Sequence, residues 1–252
     1  MLHLREYGDP AGRPVLALHG VGGNGMRWAD LAGRLTGIRL LCPDLRGHGR
    51  SVTLPPWDLD RHAEDVVATL DAALPGGEPV DVLGFSFGGA IAVHVAALHA
   101  DRVRGLGLLD PAIGLAPEFV APKAARLLDA ESYADPGEAV EAMTRPWTLF
   151  TPEQAKAEVA EFLTEDPDGR WRWRTGPLAQ IVAFSEMCRR PSAPAHPALL
   201  IRTAQNPGGS AWFAAACAHA PHVETVTLDC GHRMLQELPE QTAALVARFL
   251  TR

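Results

Sequence analysis

The stretch VDVLGFSFGGAIAV, residues 80–93, sets a single hydroxyl among apolar residues and glycines. Val80, Val82 and Leu83 read as a buried strand, and the apolar run after Gly89 reads as a helix packed under a sheet. Gly84, Gly88 and Gly89 bracket the turn between the two. A residue held on a sharp strand-to-helix turn needs neighbours without Cβ atoms, because side chains there would collide with the crossing backbone. Ser86 is therefore expected to project alone from such a turn.

Outward from this turn the same alternation recurs. PVLALHG, IRLLCPD, PVDVLGF, VRGLGLLDP, ALLIRTA and VETVTLD are short apolar runs bounded by turn residues, each fitting a strand buried on both faces. Leu59, Ala63, Val66, Val67, Leu70 and Leu74 form a helical stripe, and Pro239 opens a last helix whose inner face holds Leu245, Phe249 and Leu250. Strand and helix in alternation predict an α/β fold, a mostly parallel sheet with helices on both sides. The alternation stops between residues 112 and 194. Pro117, Pro136, Pro152 and Pro177 introduce four consecutive helical segments there, with no buried-strand run between them. The chain is thus expected to form a core from residues 1–111 and 195–252, with 112–194 inserted over the sheet. Trp147, Phe150, Trp171 and Trp173 of the insertion are candidates for an apolar pocket wall, or for ordinary packing.

Bulk properties narrow the function. In 252 residues, 47% apolar, 23 basic side chains face 30 acidic ones, and the formal charge of −7 comes without a basic run. That balance offers no footprint for nucleic acid or an anionic membrane, and a small organic substrate fits better. MLHLREYGDP at the N-terminus is neither a signal peptide nor a membrane anchor, so a cytoplasmic location is expected. Cys42, Cys188, Cys217 and Cys230 are too scattered for a disulfide framework, and no histidine, His219 and His222 included, falls in a metal-binding pattern. No metal or cofactor is expected.

A serine hydroxyl near neutral pH needs a base within hydrogen-bond reach and a third group to orient that base. LDCGHRM supplies His232, in a loop after the last apolar strand. LALHGVGGNG is a glycine-rich loop after a buried strand, and its Val21 N–H together with that of Phe87 forms a candidate pair of donors for a developing oxyanion. Gly20-x-Gly22-x-x-Gly25, with Asp44 ending the next strand, also fits a dinucleotide site, but that reading leaves Ser86 and His232 without a purpose.

His19-Gly20 after a strand, PDLRGHGRS from Pro43 to Ser51, Gly84-x-Ser86-x-Gly88 and the late Gly231-His232 occur in the order of the α/β-hydrolase superfamily, which the chain resembles over roughly residues 1–110 and 195–252. The resemblance implies a Ser-His-acid triad, Asp44 and His48 as scaffold, and a variable helical cap at the insertion. The family's acid most often follows the strand after the cap, where LLIRTAQNPGG presents Asn206 instead. Asp110 in GLGLLDPAIG ends the strand after the nucleophile helix, a position some members use, and it is the expected acid; Asn206 as sole orienter of His232 is the alternative. Asp229 and Glu237 flank His232 in sequence and are expected to lie aside. The function so implied is hydrolysis of an ester or related acyl bond of a small molecule. A cofactor-free perhydrolase or haloperoxidase, an acyltransferase, a lyase and a non-catalytic binding module on the same fold remain alternatives.

Overall fold

The computed structural model of the chain describes residues 1–129, 131–145 and 148–252. Nine strands occur among them: β1 (Leu4–Gly8), β2 (Arg13–Leu18), β3 (Ile38–Pro43), β4 (Val80–Phe85), β5 (Val103–Leu109), β6 (Leu163–Glu165), β7 (Trp171–Trp173), β8 (Ala198–Thr203) and β9 (Val223–Leu228). Seven form one sheet in the order β1-β3-β2-β4-β5-β8-β9, and β6 pairs with β7 in a separate hairpin. Every neighbouring pair in the large sheet is parallel except β1 with β3. The expected α/β architecture is therefore present, with two differences at the sheet's edges. The antiparallel strand β1 lies in a charged N-terminal stretch without an apolar run. On the other side β9 is an edge strand with Glu224, Thr225 and Thr227 exposed, so it is not buried on both faces as its sequence suggested.

The helices are α1 (Ala29–Ala32), α2 (Leu59–Ala73), α3 (Phe87–Leu98), α4 (Pro117–Arg126), α5 (Pro136–Met143), α6 (Pro152–Phe162), α7 (Pro177–Glu186), α8 (Pro207–Cys217), α9 (Met234–Glu237) and α10 (Pro239–Leu250). Their starts follow local chemistry. Asp58 accepts the Arg61 N–H ahead of α2, and Thr151 and Gln154 form a reciprocal capping box on α6. The prolines at 117, 136, 152 and 177 each open a helix. The β6–β7 hairpin between α6 and α7 was not expected from the sequence, since three-residue strands leave too little period-2 pattern to read.

Strand alternation sorts the core into two layers. Leu16 and Leu18 of β2 join Val82, Leu106, Leu108 and Leu200 under α2 and α3, while Val15 and Ala17 join Leu40, Leu83, Leu109 and Ile201 against α1 and α10. In the chain segment that separates β5 from β8 in sequence, a third, smaller cluster of Tyr133, Ala139, Val159 and Leu163 packs with Trp171 and Trp173. None of the described helices is long and apolar enough to cross a membrane. Trp147 lies outside the described residues.

Candidate active site

Ser86 sits between β4 and α3 with φ 54° and ψ −119°, a left-handed conformation that a non-glycine residue adopts only when its surroundings enforce it. The enforcement is visible in the backbone. The Ser86 N–H donates to the Leu109 carbonyl at 3.1 Å, and its own carbonyl accepts from Gly89 and Ala112, both at 3.0 Å. A Cβ on Gly88 would lie 2.1 Å from the Leu18 carbonyl oxygen, and one on Gly84 2.5 Å from that of Gly88. The glycines around the serine are there because strand and helix cross at backbone contact.

Asp110 follows β5 and is completely buried. Its N–H donates to the Ile201 carbonyl at 2.7 Å, and its φ of 40° turns the side chain across the strand ends. His232 lies in the loop after β9. Glu237 of α9 accepts the Gly231 N–H at 2.8 Å, and the Phe85 ring stacks on the imidazole at 4.9 Å between centroids, so the loop is held from both sides.

These three side chains, remote in sequence, meet at the carboxyl end of the sheet. His232 Nε2 is 3.0 Å from Ser86 Oγ, and its Nδ1 is 2.6 Å from Asp110 Oδ2. Asp110 Oδ2 also accepts from Asn206 Nδ2 at 2.8 Å and from Thr203 Oγ1 at 3.0 Å, while Oδ1 accepts from Ser210 Oγ at 3.2 Å. Burial opposes the Asp110 charge, but the hydrogen bonds from His232, Asn206 and Thr203 outweigh it and hold the carboxyl below its ordinary range. With Nδ1–H donating to Asp110, the unprotonated Nε2 faces the hydroxyl, as a proton acceptor must.

Asn206 occupies the place where the family's acid was first sought, and its amide donates to Asp110 rather than supporting the ring. Its Nδ2 lies 3.4 Å from His232 Nδ1, but both groups are donors there, so the imidazole is bonded by Asp110. Thr203 and Ser210 escaped the sequence reading. Their signal was their position beside Asn206, at the end of β8 and on the first turn of α8. Asp229 is exposed and 3.4 Å from Gln205 Nε2, away from the ring, as expected. Glu237 lies on the following helix, as expected, but its hold on Gly231 was not foreseen.

Phe87 follows Ser86 in the chain, and Val21 lines the same cavity as the serine. Phe87 is the first residue of α3, so its N–H has no intrahelical acceptor. Neither amide donates to a protein acceptor among the described residues. The glycine-rich loop that carries Val21 is fixed by His19, whose Nδ1–H donates to the Gly20 carbonyl at 2.8 Å and whose Nε2 accepts the Leu45 N–H at 2.9 Å. Burial, together with the neighbouring His48, pushes His19 well below the ordinary histidine range and keeps it neutral. Asp44 accepts from the amides of Gly25 and Arg50, a scaffold arrangement.

Ser86 and His232 open into a cavity of about 440 Å³. Its apolar wall is Leu115, Phe119, Leu127, Phe184 and Met187, and neither Trp171 nor Trp173 lines it. Two helical stripes supply it: Phe119, Lys123 and Leu127 from α4 onward, and Gln180, Phe184 and Met187 from α7. Both stripes are spaced at three and four residues and could have been read as faces, though not as faces turned to a cavity. Trp173 and Phe150 line an adjoining chamber, and Trp171 packs in the small third cluster. Among the described residues, no group of three or more His, Cys, Asp and Glu side chains could hold a metal ion.

A model described as the alpha/beta hydrolase family matches residues 15–245. Lipase LipV of Mycobacterium tuberculosis is 35% identical over 254 residues, spanning 97% of this chain and 96% of that protein. A pimeloyl-(acyl-carrier protein) methyl ester esterase of Neisseria meningitidis is 33% identical over 196 residues, 75% of this chain and 66% of the relative. Among solved structures, an alpha/beta hydrolase from Novosphingobium aromaticivorans superposes with a TM-score of 0.74 at 26% identity, covering 99% of this chain and 93% of that one. E-2-(acetamidomethylene)succinate hydrolase has the same fold, with a TM-score of 0.82 at 19% identity over 100% and 95% of the two chains. The chain belongs to the alpha/beta hydrolase family.

Proposed function

We propose that the protein is a serine esterase acting on carboxylic esters of small organic molecules, with Ser86 as nucleophile, His232 as base and acid, and Asp110 as the group that orients and balances the imidazole. The observation that carries this reading is the chain of contacts Ser86 Oγ to His232 Nε2 at 3.0 Å and His232 Nδ1 to Asp110 at 2.6 Å, at the wall of an apolar cavity. Relatives named lipase and methyl ester esterase support the choice of bond.

In the mechanism, His232 Nε2 takes the Ser86 proton as Oγ attacks the ester carbonyl. The resulting imidazolium is stabilised by the Asp110 carboxylate, which its hydrogen bonds keep ionised. The amides of Val21 and Phe87 receive the oxyanion; preorganised donors of this kind contribute about 3 kcal/mol each to lowering the barrier. His232 returns its proton to the departing alkoxide, leaving an acyl-enzyme on Ser86. Water, deprotonated by the same Nε2, then releases the acid. Residues 112–194 act as the cap that gives the cavity its apolar wall. The four cysteines are free, which supports the cytoplasmic location.

A series of p-nitrophenyl esters from acetate to dodecanoate tests the reading. The protein is expected to hydrolyse them with an optimum at intermediate acyl length, and Ser86→Ala to lose at least about 10⁴-fold in kcat with an unchanged circular dichroism spectrum. Folded wild-type protein inert towards the whole series would overturn it.

A further inference from the structure

Resting on the esterase reading, we infer that the preferred substrates carry a carboxylate at the end remote from the scissile ester, and that Arg233 receives it where the Ser86 cavity meets a second chamber. That chamber, about 550 Å³, shares Val21, Arg27, Leu127, Gln180 and Arg233 with the Ser86 cavity, so the two adjoin along one wall. At this junction two guanidinium groups contact the Phe150 ring, with Arg27 Cζ 5.0 Å and Arg233 Cζ 5.8 Å from its centroid.

The two arginines are satisfied very differently. Arg27 binds the buried Glu158 through Nε at 2.9 Å and Nη2 at 3.0 Å, a fork-to-fork pair that leaves it neutralised. Arg233 donates from Nη1 to the Thr148 carbonyl at 2.6 Å and forms no ion pair among the described residues. The two carboxylates whose charge reaches it, Glu158 and Glu237, are committed to Arg27 and to the Gly231 N–H. Burial, and the Arg27 charge beside it, pull Arg233 below the ordinary arginine range. A partly desolvated cation without a counter-ion is costly, and an anion placed against its free donors removes that cost.

Charge and shape select the class of ligand. With Arg27 paired to Glu158, Arg233 and Lys123 are the cations without an ion pair that line the Ser86 cavity, and no carboxylate lines it among the described residues, which favours an anionic group on the ligand. Leu115, Phe119, Phe184 and Met187 line the cavity that also holds Ser86 and Arg233, which suits a methylene chain. An ester at Ser86, an aliphatic linker and a carboxylate at Arg233 describe a half-ester of an α,ω-dicarboxylic acid.

The test compares mono-p-nitrophenyl suberate with p-nitrophenyl octanoate, which have equal chain length, and repeats the pair at shorter and longer lengths. Wild-type protein is expected to favour the carboxylated ester at least about tenfold in kcat/KM at its best length, mostly through KM. Arg233→Met is expected to erase that preference, and Arg233→Lys to retain most of it. Equal or poorer use of the carboxylated ester at every length, or a preference unchanged in Arg233→Met, would overturn the inference. Because Arg233 adjoins His232, a second measurement avoids catalysis. By calorimetry, 7-oxooctanoate is expected to bind at least about tenfold tighter than 2-octanone, and Arg233→Met to abolish the difference. Equal binding of the two ketones refutes the anion site whatever the esters do, whereas failure to hydrolyse either ester refutes the esterase reading alone.

Discussion

The carboxyl rim of the sheet and the segment from α4 to α7 face each other across one cavity, yet they are held in place by different forces. At the rim, backbone touches backbone. Gly84 and Gly88 leave no room for a Cβ, Ser86 and Asp110 adopt left-handed φ, and the Asp110 carboxylate accepts four hydrogen bonds. The α4–α7 segment has a small core of its own and is tied to the rest through side chains, among them Arg27–Glu158 and Arg5–Glu161. Geometry fixed by backbone collision tolerates almost no variation, whereas geometry fixed by side-chain packing can be retuned residue by residue.

The largest effect that could break this contrast lies in the acid. Asp110→Asn is expected to lower kcat on activated esters by about 10³–10⁴-fold, because the imidazolium loses its charge partner, while Asn206→Ala costs about tenfold or less. Comparable losses in the two variants would move the acid's role towards Asn206. Next comes the turn itself. A glycine-to-alanine change on a helix ordinarily stabilises by up to about 1 kcal/mol, yet Gly88→Ala is expected to destabilise by more than about 3 kcal/mol in urea unfolding, since its Cβ would meet the Leu18 carbonyl oxygen. A neutral or stabilising result would show that the turn can relax.

Acid sensitivity should also belong to the rim side. Burial pushes His48 down to about 4 and His62 to about 3, so both stay neutral in the fold where the unfolded chain, with ordinary values near 6.5, takes up protons. Stability is then complete above pH 6.5 and falls as the pH drops through 6.5 towards the folded-state values. Between pH 7 and pH 5 these two groups should lower the unfolding free energy by about 4 kcal/mol, and His48→Gln should remove about half of that slope. Residues 112–194 contain no histidine, so a profile set by that segment would be flat over this range. The smallest expected effect is in the segment itself. Glu158→Gln should cost about 1–2 kcal/mol and speed amide exchange in α5 and α6 while the amides of β4 and β5 keep their protection. Uniform loss across both regions would join them into one cooperative unit.

The same contrast explains what could be read in advance. Strand alternation, the proline-led helices, the glycine turn at Ser86, the His232 loop and Asp110 all leave local marks, because each is imposed by backbone conformation or by period. The antiparallel β1 left none, since an edge strand beside a charged terminus lacks a buried face on each side. The sequence left the aromatics of the insertion open between pocket wall and packing, for a different reason. The hairpin turns Trp171 into its own cluster, Trp173 and Phe150 line the adjoining chamber, and the wall of the Ser86 cavity falls to Phe119, Phe184 and Met187. Thr203, Asn206 and Ser210 converge on Asp110 only because β8 lies beside β5, a pairing of segments nearly a hundred residues apart.

The most direct test of the account is covalent labelling with a fluorophosphonate, followed by intact mass and peptide mapping. One adduct per chain on the peptide containing Ser86, absent in Ser86→Ala and slowed at least about 100-fold in His232→Ala, is the predicted result. A folded protein that stays unlabelled, or carries its adduct on another residue, would contradict it.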